Sequence, residues 1–128
     1  MENRNPNIHI FIAEDEELIS NLYRIQLERT GYKVTIAEHG QKAVDMLKAL
    51  TVKPELLLLD LGLPVLDGQE VYEEAVKLFG SIPTIFCSGK YSDNINSTWL
   101  SEHPNTCLLI KPVSMKSITI VIEELLKP

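Results

Sequence analysis

Residues Glu55 to Gly68 read Glu-Leu-Leu-Leu-Leu-Asp-Leu-Gly-Leu-Pro-Val-Leu-Asp-Gly. Leu56 to Leu59 form an unbroken apolar run. Asp60 ends it, and Gly62, Pro64, Asp67 and Gly68 then punctuate a loop. A short apolar run bounded by turn residues predicts a strand buried on both faces, as in a parallel sheet. Leucine alone would suit a buried helix equally, but the run is too short for one and Pro54 stands just before it. In open parallel sheets, ligands bind beyond the carboxyl ends of the strands, and Asp60 falls at such an end. Taken singly, an Asp there most often caps the following turn. A chemical role depends on what the rest of the chain brings beside it.

Upstream of this stretch, Met1 to Asn7 is a polar tail, and Ile8 to Ala13 is a β-branched, apolar strand ending in Glu14-Asp15-Glu16-Glu17. A helix is predicted from there to about Thr30, with Leu18, Leu22 and Ile25 as its apolar stripe and Gly31 as its stop. Tyr32 to Ala37 alternates as a half-buried strand. Gly40 opens a second helix carrying Ala43, Leu47 and Leu50 at helical spacing. Downstream, Gln69 to Leu78 reads as a helix with Val71, Ala75 and Leu78 inward, ended by Gly80. Pro83 to Cys87 is a fourth strand running into Ser88-Gly89-Lys90. Tyr91 to Pro104 is rich in Ser, Asn and Asp and predicts only a short, poorly anchored helix. Thr106 to Ile110 is a fifth strand ending at Lys111-Pro112. A last helix follows to near Lys127 with Met115, Ile118, Ile122 and Leu125 as its stripe.

Strand and helix alternate five times, with no repeat, linker or low-complexity segment. That pattern predicts an α/β protein with helices on both faces of a five-stranded parallel sheet, joined by right-handed crossovers in the doubly wound order 2-1-3-4-5. A chain of 128 residues fits one domain spanning residues 1–128. The net charge of -6 argues against direct binding to nucleic acid, which needs a basic face. The two cysteines, Cys87 and Cys107, lie in apolar runs and read as buried thiols in a reducing compartment, so a cytoplasmic location is expected. No stretch has the length of a membrane span and no signal peptide is visible. Asn96-Ser97-Thr98 matches a glycosylation acceptor only by chance in such a chain.

In the expected topology the ends of strands one, three, four and five carry Glu14 and Asp15, then Asp60, then Ser88, then Lys111. Each has an ordinary explanation, such as acids favoured at a helix N-terminus. Four polar strand ends facing one crevice are harder to explain singly. Crowded carboxylates repel one another, and a hard cation such as Mg²⁺, which prefers oxygen ligands, relieves that repulsion. A carboxylate can serve as the nucleophile that forms an aspartyl-phosphate. Phosphoryl transfer then asks mainly for alignment and charge neutralisation. Lys111 would place a point charge on a phosphoryl oxygen. Ser88 would donate a hydrogen bond to another, and Gly89 leaves room for the group.

With these motifs in this order and spacing, the chain resembles the receiver domain of two-component response regulators, in the CheY-like superfamily, over essentially its whole length. The resemblance rests on Glu14-Asp15, on Asp60 with Leu63-Pro64 and Asp67-Gly68, on Ser88, and on Lys111-Pro112. It implies a flavodoxin-like (βα)5 fold. It implies a regulatory phosphoacceptor, Asp60, that takes a phosphoryl group from a histidine kinase's phosphohistidine, assists its own phosphotransfer and dephosphorylation, and is not otherwise an enzyme. It implies Mg²⁺ bound directly by Asp15 and Asp60, largely through water by Glu14, and by the backbone carbonyl of Gly62. The implied partner is a sensor histidine kinase or phosphotransfer protein, with an attached kinase or output domain outside these residues if the chain is not a stand-alone regulator. Neither nucleic acid nor membrane is expected as a direct partner, and the expected state is a monomer or weak dimer.

Two departures concern the output face. The family usually has an aromatic residue three before the lysine, where this chain has Leu108. It also has His103-Pro104-Asn105 in place of a Gly-Ala turn. Alternative readings are a degenerate receiver used for docking and an aspartyl-nucleophile phosphatase of the haloacid-dehalogenase type. The phosphatase would want a second acid two residues after the nucleophile, where Gly62 stands. A flavin binder would want a phosphate-cradling first loop, and here that loop is acidic.

Overall fold

A computed structural model describes residues 8–89 and 95–127. The expected polar tail, the first residues of the weak segment before Ile95, and Pro128 lie outside the described residues. In chain order the elements are β1 (His9–Ala13), α1 (Glu17–Thr30), β2 (Lys33–Ala37), α2 (Gly40–Ala49), β3 (Leu56–Asp60), α3 (Gly68–Phe79), β4 (Thr84–Ser88), α4 (Ser97–Ser101), β5 (Thr106–Ile110) and α5 (Met115–Leu125). All strand pairs are parallel, and the sheet order is β2-β1-β3-β4-β5. This is the flavodoxin-like doubly wound fold the alternation predicts.

The leucine run explains the layering. Leu57 and Leu59 join Phe11, Ala13 and Phe86 in a core against α2 and α3. Leu56 and Leu58 join Ile10, Ile12, Ile85 and Cys87 in a core against α1 and α5. Successive strand residues point to opposite faces, so a run with no polar member can only be buried on both. The register Leu59 to Ala13 and Asp60 to Cys87 brings the ends of β1, β3 and β4 level.

Local chemistry sets the element ends near the crevice. Asp67 and Glu70 form a reciprocal capping box at the start of α3. Gly68 is required there because a Cβ would stand 2.5 Å from the carbonyl oxygen of Asp60. Gly40 opens α2 against the same loop, where a Cβ would overlap the carbonyl of Leu66.

Three sequence expectations need correction. Leu18, Leu22 and Ile25 do not face the core: they are 82%, 60% and 54% exposed. The buried face of α1 is Ser20, Tyr23 and Leu27. The helix has apolar residues on two stripes, and periodicity cannot say which one meets the sheet. Leu78 of α3 is likewise exposed, and Tyr72 packs inward beside Val71 and Ala75. Cys107 is only half-buried, because β5 is an edge strand with no fully buried residue.

Candidate functional site

Three carboxylates meet beyond the strand ends. Glu14 follows β1, Asp15 follows Glu14, and Asp60 is the last residue of β3. One oxygen of each lies within 4.8 Å of the others. Glu14 and Asp60 are buried, and Asp15 is exposed. Lys111, just past β5, bridges the buried pair: its Nζ donates to Glu14 Oε1 and to Asp60 Oδ2, each at 3.2 Å. The Gly62 N–H donates to the other Asp60 oxygen at 3.0 Å, and the Glu16 N–H donates to Glu14 Oε2 at 3.1 Å. The strand ends are coupled as well, since the Lys111 N–H donates to the Ser88 carbonyl at 2.7 Å.

The electrostatics arise from burying more negative than positive charge. Burial pushes the Glu14 carboxyl up to about 7, and the charge of Asp60 adds to this. The Glu16 N–H and Lys111 oppose it without cancelling it. Burial alone would lower the Lys111 ammonium, but Asp60 and Glu14 outweigh that and raise it. One lysine therefore leaves the cluster short of positive charge. All the donors are hard oxygens, which suits Mg²⁺ rather than a softer metal. The residues fit such an ion.

Of the sequence candidates, Glu14, Asp15, Asp60 and Lys111 converge directly. Ser88 is buried at the end of β4, and Gly89 beside it is exposed, with open space around its Cα up to the Lys111 side chain. Gly62 touches the site through its N–H. Leu108 stands apart on the other face of the sheet, packed on the core against α3. Sequence reasoning missed Tyr23. It is buried beneath the site, with its hydroxyl donating to Cys87 Sγ at 3.9 Å. Burial raises both groups, the thiol to about 12 and the phenol further, so both stay neutral. Nothing in the sequence marks one helical tyrosine as lying under an acid cluster.

Beside the site runs an apolar groove of 440 Å³ lined by Ile19, Leu22 and Tyr23 of α1, Pro112, Val113 and Met115 after β5, and Lys111 and Gly89 at its inner end. The outward stripe of α1 continues it.

The arrangement is that of a doubly wound α/β protein whose strand ends can hold a divalent cation beside an anionic group. The chain belongs to the response regulator receiver domain family, whose profile matches residues 10–123. Members are the regulatory phosphoacceptor modules of two-component systems. Over 68 residues the chain is 46% identical to the alkaline phosphatase synthesis transcriptional regulatory protein PhoP of Bacillus subtilis, covering 53% of this chain and 28% of that one. It is 30% identical over 118 residues to the transcriptional regulatory protein ResD of the same organism, covering 92% and 48%. A CheY-like receiver domain protein from Methanospirillum hungatei superposes with a TM-score of 0.80 at 27% identity, covering 92% of each chain. The chain thus spans half or less of the length of these curated relatives.

Proposed function

We propose that Asp60 is the residue that accepts the phosphoryl group, and that residues 1–128 act as one receiver domain. The observation that carries this is the Lys111 ammonium shared between Asp60 and Glu14 at the strand ends. A cation fixed on Asp60 Oδ2 is placed to neutralise charge arriving on that carboxylate. The other Asp60 oxygen is held by the Gly62 N–H. In the transfer, an Asp60 oxygen attacks phosphorus, the donor's P–N or P–O bond breaks, and the electron pair leaves with the donor. Ser88 would donate its hydroxyl hydrogen to a phosphoryl oxygen, and Gly89 leaves space for the group. Glu14, Asp15 and Asp60, with the Gly62 carbonyl, would hold Mg²⁺, which supplies further neutralisation of the phosphoryl charge when bound. By the same geometry the site would assist its own dephosphorylation.

The donor would be a phosphohistidine on a sensor kinase or phosphotransfer protein. The outward stripe Leu18, Leu22 and Ile25, at helical spacing beside the groove, supports docking of a donor helix that ends over Asp60. The output would lie in an attached domain or a separate partner, and a cytoplasmic location suits the two free thiols. The test is intact mass after incubation with acetyl phosphate and Mg²⁺. The chain should gain one phosphoryl group and Asp60→Asn none. Equal labelling of that variant would refute the assignment.

A further inference from the structure

The two buried acids of the site leave a neighbouring hydroxyl with a poor partner. All four of their oxygens are taken. Glu14 Oε1 and Asp60 Oδ2 accept from Lys111, Glu14 Oε2 accepts from the Glu16 N–H, and Asp60 Oδ1 accepts from the Gly62 N–H. Beneath them stands the phenol of Tyr23, on the buried face of α1. Its hydroxyl donates to Cys87 Sγ at 3.9 Å. Sulfur is a weak acceptor, and a buried phenol ordinarily finds a better one.

Sheet register explains why the phenol is there. Asp60 and Cys87 are paired across β3 and β4. Neighbouring strands run about 4.8 Å apart, so the two side chains leave the same face of the sheet side by side. That is the face covered by α1, since Cys87 and Tyr23 share its core. The thiol thus lies between the phenol and the carboxylate of Asp60. Burial above all, and also the charges of Glu14 and Asp60, hold the proton on the phenol, so its O–H remains a donor.

Phosphorylation changes the count of donors and acceptors. A phosphoryl group places its anionic oxygens beyond the Asp60 carboxylate. The Lys111 ammonium is drawn out to them, because hydrogen bonds between charged groups are the strong ones. Its bond to Glu14 Oε1 is then given up. The Glu14 side chain is only 1% exposed, so water has little access to that oxygen. A buried carboxylate oxygen stripped of its donor is costly. The Tyr23 hydroxyl is the neighbouring donor with least to lose: it leaves a long bond to sulfur and gains a charged oxygen.

We propose that Tyr23 is a positioning residue of the phosphorylated state, its hydroxyl passing from Cys87 Sγ to Glu14 Oε1 and so freeing Lys111 for the phosphoryl group. The exchange moves one hydrogen bond and transfers no proton. Tyr23 acts through Glu14 and Lys111, without touching the phosphoryl group. The inference rests on Asp60 being the phosphoacceptor.

Beryllofluoride with Mg²⁺ stands in for the phosphoryl group in the test. The full chain is titrated with it by calorimetry, and tyrosine absorption is recorded before and after. Intact mass after acetyl phosphate is taken on the same preparations. Tyr23→Phe keeps the ring and removes the donor. It should bind beryllofluoride roughly tenfold more weakly, the worth of one hydrogen bond to a charged group. Its Tm in Mg²⁺ alone should stay close to wild type, because the bond lost there is the weak one to sulfur. Cys87→Ala removes the resting acceptor and should bind beryllofluoride at least as tightly as wild type. Wild-type tyrosine absorption should shift to the red with beryllofluoride, as the phenol meets a stronger acceptor. The chain has four tyrosines, and loss of the shift in Tyr23→Phe assigns it to this one. Undiminished affinity in Tyr23→Phe, or no spectral change in the wild-type chain, overturns this inference alone. So does a Cys87→Ala chain weakened as much as Tyr23→Phe, since the pair would then act by packing. A wild-type chain that gains no phosphoryl mass overturns the Asp60 assignment and this inference with it.

Discussion

The two flanks of the crevice beyond β3 are held by opposite kinds of force. On the charged flank, built from the ends of β1, β3 and β5, buried Glu14 and Asp60 share one lysine, and the Gly62 and Glu16 N–H groups hold their remaining oxygens. Such a network is stiff, because removing one member strands buried charge. On the flank formed by β4 and α4, the rings of Tyr72, Phe86, Trp99 and His103 meet edge-on or stacked and seat a five-residue helix with nothing buried. Ring pairs of that kind contribute about 0.5–1.5 kcal/mol each beyond their area. The difference is one of stiffness: a rigid charged flank suits a reaction that needs alignment, and the ring flank is held by packing.

The largest effect is expected on the charged flank. Lys111→Met keeps the length of the side chain and removes its charge. It should slow labelling by acetyl phosphate by roughly 10²-fold, the usual loss when one stabilising group is removed from a reacting oxyanion. Circular dichroism should stay unchanged. Labelling at the wild-type rate would remove Lys111 from the chemistry and erase the distinction between the flanks.

The ring flank is next, read by denaturant unfolding. Phe86 is fully buried, so Phe86→Ala should cost about 3–5 kcal/mol. Trp99→Ala should cost only about 1–2 kcal/mol, because a half-exposed ring forfeits less burial. Equal costs would mean that α4 is seated as firmly as the sheet.

A third comparison sets the two faces of α1 against each other. Leu27 is 0% exposed and Leu18 is 82% exposed. Leu27→Ala should destabilise by about 2–5 kcal/mol, and Leu18→Ala should stay within about 0.5 kcal/mol. If the stripe serves a donor, Leu18→Ala and Leu22→Ala should slow transfer from a phosphorylated kinase and leave acetyl phosphate labelling unchanged.

The smallest effect is in pH. Glu14 titrates near 7 in the folded chain and near its ordinary 4.5 when unfolded, so the folded state binds the proton more tightly. Its contribution is complete below the unfolded value and is lost as pH rises through 7. In chelator, Glu14→Gln should flatten the fall in Tm between pH 5 and pH 7.5, and Mg²⁺ should raise the wild-type Tm more at the higher pH. An equal Mg²⁺ gain at both pH values would contradict the account of a cluster short of positive charge.

Much of this is legible in the sequence for a physical reason. A leucine run ended by an Asp has few structural solutions, and five alternations leave one common topology. Glu14, Asp15, Asp60 and Lys111 can be gathered because strand ends converge by topology alone. What stays hidden depends on side-chain packing. The outward stripe of α1 has the same period as an inward one, so periodicity puts Leu18, Leu22 and Ile25 on the wrong side. Tyr23 under the site and the Trp99–His103 stack arise from tertiary contacts that spacing does not specify. Asn96 does act locally, however: it caps α4 by accepting from the Trp99 N–H at 2.8 Å.

The most direct test is to locate the modified atom. Borohydride reduces an aspartyl-phosphate to homoserine, a permanent mark at the acceptor. The chain is incubated with acetyl phosphate and Mg²⁺, reduced, digested and sequenced by mass spectrometry. Homoserine at position 60, absent without phosphodonor, is the result this account predicts. Homoserine at position 15 or 67, or labelling with position 60 unmarked, would contradict it.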